Sequence, residues 1–200
     1  MKKYFYLPII CSLVVAFSLV SCSREKPASP VTIDLSGKVL TKEQFAALSE
    51  KMVKIHDKMM LKGIDTIQTE AEAQAALEPL VESGEAIYQE ILANSASIPP
   101  ADLVEIEALT DQQLAEIGAT FYAVANSTLT TEQKKVLTCI SSAFTIAGVI
   151  DAAISGTTAI MTLEATVAIV KALAKRFCFG YLGTIWAIYS FLDCVGAFES

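Results

Sequence analysis

The chain has 200 residues, is 53% hydrophobic, and carries 22 acidic against 15 basic side chains, for a formal net charge of −7. That length allows one or two small domains with a real core. An acidic chain without a basic tract argues against a nucleic-acid binder, and one histidine beside five cysteines matches no familiar metal-ligand spacing.

Lys2 and Lys3 open the chain, and Tyr4 to Val20 is an uncharged, mostly apolar run. Leu19-Val20-Ser21-Cys22 closes it, ahead of Ser23-Arg24-Glu25-Lys26-Pro27. A basic start, an apolar run and a small residue before the cut make a secretory signal over residues 1–21 rather than a spanning helix. Leu19 to Cys22 resembles the lipobox of bacterial lipoproteins, in which a small residue precedes an invariant cysteine. The resemblance covers only the first 22 residues. It implies cleavage before Cys22, thioether lipidation of Cys22 and acylation with chains such as palmitate, so that the mature chain is membrane-attached from its first residue. Ser23 stands where an aspartate would resemble an inner-membrane retention signal, which implies the outer membrane if the host is Gram-negative. Residues 22–36, with Pro27, Ser29 and Pro30 among mixed charges, read as a tether.

Three stretches then share one grammar: Leu40-Thr41-Lys42-Glu43-Gln44, Leu109-Thr110-Asp111-Gln112-Gln113 and Leu129-Thr130-Thr131-Glu132-Gln133. A threonine N-cap with glutamine three residues on satisfies free amide groups at a helix start. Helices are therefore expected from Lys42, Asp111 and Thr131. The first carries a seam of Phe45, Leu48, Met52, Ile55 and Met59 and stops near Gly63. A second, from about Thr69, carries Ala73, Leu77, Leu80, Gly84, Ile87 and Ile91, with Pro79 expected to kink or split it. Together they form an antiparallel helical hairpin over residues 37–96. From Gly63 to Gln133 there are thirteen acidic residues and no lysine or arginine. Lys51, Lys54, Lys58 and Lys62 form a basic stripe on the first helix, placed to meet the acidic second helix.

Ile98-Pro99-Pro100 separates the hairpin from a helical domain over residues 97–200. A short separate helix is expected around Asp102 to Glu107, followed by an amphipathic one to about Asn126. Residues 136–198 are the most apolar stretch, read as three packed helices. The middle one would start at Thr157 or Thr158 and run to about Arg176, with Lys171, Lys175 and Arg176 in its last turns. Along the last, Gly180, Gly183, Ala187, Ser190, Cys194 and Ala197 recur at steps of three and four. That small-residue face suits close helix packing, in a soluble core or in a membrane. Asp151 and Asp193 are the two questionable charges, expected to be paired or exposed. The whole reads as an all-α fold of about six helices: a hairpin followed by an apolar C-terminal bundle.

Cys139, Cys178 and Cys194 remain after processing, an odd number in a disulfide-permissive compartment. An up-down-up arrangement favours Cys139 with Cys178, because Cys194 lies some 22 Å further along a helix. If the middle segment is broken instead of one full helix, pairing of Cys139 with Cys194 becomes possible. No nucleophile elbow, P-loop or dinucleotide fingerprint occurs, and His56 reads as a seam-edge histidine. The sequence therefore points to a non-enzymatic, cofactor-free, lipid-anchored envelope protein. Its membrane contact runs through Cys22, and its helical module binds a protein partner or is structural. The alternative is a membrane-active, bacteriocin-like protein that inserts its C-terminal helices.

Overall fold

The structure, a computed structural model of the whole chain, describes residues 30–61, 65–126, 135, 138–139, 142–143, 160–176 and 178–196. The chain divides into the units Met1–Pro30 and Val31–Ser200. The second begins with a short strand, β1 (Thr32–Asp34), inside the stretch read as tether. Ile33 and Leu35 are fully buried, so the domain starts earlier than residue 37. Apolar residues at alternate positions send both side chains to the same face.

The Thr41 capping box forms as expected. Thr41 Oγ1 accepts from the Gln44 amide at 3.2 Å, and Gln44 Oε1 accepts from the Thr41 amide at 2.9 Å. Helix α1 (Lys42–Met59) follows, with Phe45, Leu48, Met52 and Ile55 buried. Helix α2 (Thr66–Ala93) starts three residues before the expected Thr69, because the Asp65 carboxylate accepts from the Ile67 and Gln68 amides. Pro79 lies inside α2 without splitting it. One missing amide donor is outweighed by the fully buried Leu77, Leu80, Ile87 and Ile91, which carry the helix past the break. Lys58 pairs with Glu72 across the hairpin. Lys51 and Lys54 stay exposed, and Lys62 lies outside the described residues.

A 3-10 turn (Ser95–Ser97) leads to α3 (Pro100–Ile106), which begins on a proline whose missing amide costs nothing at a first turn. Helix α4 (Asp111–Asn126) opens on the second capping box, Gln113 N to Thr110 Oγ1 and Thr110 N to Gln113 Oε1. The third box, at Thr130, lies outside the described residues, as does Asp151. Strand β2 (Ile160–Thr162) pairs antiparallel with β1, Ile33 opposite Met161. It displaces the expected helix start from Thr157 or Thr158 to Leu163, where the Thr162 hydroxyl caps α5 (Leu163–Ala174). The last element is α6 (Gly180–Val195).

Among the described residues there are six α-helices and one two-stranded ribbon, an all-α fold with α2 at its centre. Helix α4 lies along α2 in the most extensive pairing, α1 and α6 flank α2, and α5 covers α3 and α4. The α2–α4 crossing has a symmetry visible in its residues. A Cβ on Gly84 would overlap the Leu114 carbonyl, and one on Gly118 would overlap the Leu80 carbonyl. Leu80–Gly84 and Leu114–Gly118 thus interlock in opposite directions, and only glycine lets the two backbones come that close.

Candidate functional site

The surface singled out by sequence is the small-residue face of α6, and the structure divides it. Gly180 adopts φ +69°, and a Cβ there would strike Glu70 Oε1. A Cβ on Gly183 would meet only the side chain of Phe179, one turn back in the same chain. Ala187 is buried, Ser190 half-buried and Cys194 exposed, and Ala197 lies outside the described residues. The buried face of α6 is instead Thr184, Ile185, Ala187, Ile188, Phe191 and Leu192. The expected close-packing seam is therefore not what holds α6. Among the described residues, helix backbones meet most closely at Gly84 and Gly118 instead. Large side chains win on α6 because they bury more apolar area than a glycine stripe does.

Helix α6 is fixed at both ends by groups far away in sequence. Its first residues have no side-chain cap of their own. Glu70 of α2 supplies one, accepting from Tyr181 N at 2.5 Å and Leu182 N at 3.3 Å. A carboxylate there satisfies free amides and meets the positive end of the helix dipole. The far end is held by a disulfide between Cys194 and Cys139, with Cα atoms 5.7 Å apart. The favoured pairing, Cys139 with Cys178, gives way to this one, and Cys178 is a free thiol. The middle segment is not one full helix, since β2 precedes α5 within it, and that is the condition under which pairing of Cys139 with Cys194 becomes possible. Asp193, beside it, is exposed.

Between α5 and α6 the chain is latched onto α4 by two side chains one turn apart. Gln113 Nε2 donates to the carbonyls of Ala174, at 2.6 Å, and Arg176, at 3.1 Å. Glu116, with no exposed surface, accepts from Arg176 Nη1 at 2.5 Å and from the Cys178 thiol at 3.8 Å. Among the described residues its second oxygen, Oε2, has no hydrogen-bond partner, and neither has the Thr120 hydroxyl one turn further on. Burial pushes the Glu116 carboxyl up to about 7, against the pull of the Arg176 guanidinium. Burial, with the Glu116 charge adding to it, pushes the Cys178 thiol up to about 11. A thiol held protonated is a poor nucleophile, so the cluster latches the chain and does not build a reactive cysteine.

Sequence reasoning counted Glu116 only among the thirteen acidic residues between Gly63 and Gln133 and assigned Lys171, Lys175 and Arg176 to the helix dipole. The cations instead pair across elements: Lys171 with Asp102 and Glu105, Lys175 with Glu105, and Arg176 with Glu116. The one signal for Glu116 was its place in Leu114-Ala115-Glu116-Ile117-Gly118, a glutamate enclosed by apolar and small residues.

His56 lies at the α1–α6 seam, stacked on Tyr189 with centroids 4.0 Å apart and tilted against Trp186 at 5.0 Å. Cys22 lies outside the described residues. No described helix is long and apolar enough to cross a membrane, and no described group of three His, Cys, Asp or Glu is placed to hold a metal. Comparison with protein-family models, with curated proteins and with solved structures finds no match for the chain.

Proposed function

We propose that the chain is a bacterial lipoprotein of the cell envelope, anchored through acyl chains on Cys22, at the outer membrane in a Gram-negative host. Its helical domain is a non-enzymatic module that engages a protein partner or serves structurally. The observation that carries this reading is Leu19-Val20-Ser21-Cys22 behind the basic start and the apolar run. Two acyl chains or more hold a protein on a bilayer stably where one does not. The clamping of α6 at both ends supports a folded module over the alternative of helices that leave the fold to insert.

The test is metabolic labelling with an alkyne fatty acid in a bacterial host, with mass spectrometry of the mature amino terminus. The expected result is a label on a chain beginning at Cys22, and loss of both label and membrane fractionation in Cys22→Ser. An unlabelled chain, or a mature terminus elsewhere, would sink the proposal.

A further inference from the structure

Seven large hydrophobic side chains are exposed among the described residues, and five of them lie just after α1, at the start of α2, and on α6 or just before it. Met60 and Leu61, each 66% exposed, follow α1, and Ile67, 85% exposed, lies in the first turn of α2. Phe179, 79% exposed, precedes α6, and Trp186, 47% exposed, sits two turns along it. Three contacts fix their common location. The Lys58–Glu72 ion pair sets the last turn of α1 beside the second turn of α2. Glu70, one turn from Ile67, caps Tyr181 and so brings Phe179 to the same end. His56, one turn before Met60, lies against Trp186. Scattered exposed apolar residues need no explanation, but a cluster marks an interaction surface.

We propose that this end of the domain rests on the lipid bilayer, with Met60, Leu61, Ile67 and Phe179 dipping into the interface and Trp186 at headgroup level. The proposal rests on the lipoprotein reading above and gives the anchored domain an orientation. Exposure of two thirds or more means that four of these side chains project from the surface and do not line a groove. Projecting apolar groups fit a deformable bilayer better than they fit a preformed protein pocket, and tryptophan favours the membrane–water boundary. Eight residues separate Cys22 from Val31, a reach of about 30 Å when extended. The anchor thus holds the domain at high effective concentration over the bilayer, where even weak insertion is productive.

Trp186 is the only tryptophan in the chain, so it reports on this end alone. The acylated protein is reconstituted into phosphatidylethanolamine–phosphatidylcholine vesicles, with lipids brominated near the headgroup or deep in the chain. The expected result is a blue-shifted Trp186 emission, quenched more by shallow than by deep bromine. Ile67→Asp and Phe179→Asp, both at exposed positions, should lose the shift and the quenching while keeping the parent circular dichroism and melting. Protein that floats with the vesicles but shows no quenching overturns the inference and leaves lipidation standing. If the chain proves unacylated, the vesicles are added to it in solution, and failure of quenching there overturns the inference as well. A blue shift that needs no vesicles and grows with protein concentration also overturns it, in favour of a second copy covering this end.

Discussion

Gly84→Ala tests where the fold draws its closest packing. The added methyl would overlap the Leu114 carbonyl, with the carbonyl carbon at 2.7 Å, and a helix backbone cannot turn aside as a side chain can. Overpacking costs about 1–3 kcal/mol, and contact with main chain puts this case near the upper figure. Alanine returns about 1 kcal/mol over glycine in a helix, so the expected net loss is about 2 kcal/mol. In a domain of this size that lowers Tm by about 4–8 °C. Gly118→Ala should cost about as much, since its methyl meets the Leu80 carbonyl in the same way. The double variant should cost less than the sum, because separating the helices once relieves both overlaps. Gly183→Ala is the contrast: its methyl meets Phe179 Cβ in the exposed lead-in to α6 and not the main chain of a neighbouring helix. The shift it forces on Phe179, set against a helix-propensity gain of up to about 1 kcal/mol, should leave a smaller net loss than Gly84→Ala. Urea unfolding followed by circular dichroism measures all four. A Gly84→Ala chain as stable as the parent, or strict additivity in the double, would refute the interlocked crossing.

Three more perturbations probe the clamps. The Glu116 carboxyl is raised from 4.5 to about 7, so the folded state holds the proton more tightly than the unfolded chain does. Its contribution to stability is full below about pH 4.5 and is lost as pH rises through about 7, in total about 3 kcal/mol. Glu116→Gln should therefore gain on the parent between pH 5 and 8 in urea titrations, and a parallel pair of pH profiles would contradict the assignment. Glu70→Gln removes the charged cap of α6 and should cost about 1 kcal/mol in thermal unfolding. Faster hydrogen exchange at Tyr181 and Leu182 should accompany it, and unchanged exchange would reject that role for Glu70. Reduction, or Cys139→Ser with Cys194→Ser, opens a loop of 55 residues and should cost about 4 kcal/mol by loop entropy. Equal midpoints for oxidised and reduced chains would show that the bond does not constrain the fold.

What was legible in the sequence was local. A capping box is written in four residues, so the starts of α1 and α4 could be read to the residue. The buried seams of α1 and α2 recur every three or four positions and need no knowledge of a partner. The groups that shape the candidate surfaces act across long separations. Glu70 reaches Tyr181 over 111 residues, Gln113 reaches Ala174 over 61, and Arg176 reaches Glu116 over 60. No periodicity encodes such pairings, since each depends on where the helices cross. The crossing itself was half visible. Gly84 lay on the α2 seam, but the reciprocal Gly118 gains meaning only when α4 is laid against it. Strand β2 stayed hidden for a related reason: Ile160-Met161-Thr162 is too short to display alternation, and its partner is 128 residues earlier at Thr32–Asp34.

The two clamps bear on how an apolar C-terminal helix can serve an anchored protein. Ile185, Ile188, Phe191 and Leu192 are fully buried, and exposing a side chain of this kind costs about 1.5–3 kcal/mol. Freeing all four costs on the order of 10 kcal/mol, comparable to the whole stability of an ordinary domain. A disulfide at one end and a carboxylate cap at the other add to that cost. Releasing α6 would thus cost about as much as unfolding a domain, and a bilayer would have to return that energy through a helix of only 16 residues, short of the ~20 needed to span it. Side chains already exposed carry no such penalty. Met60, Leu61, Ile67, Phe179 and Trp186 can meet lipid without breaking a buried contact. If Cys22 anchors the domain as proposed and the domain touches that membrane, the lower-cost route is contact through this end, with the helices still packed.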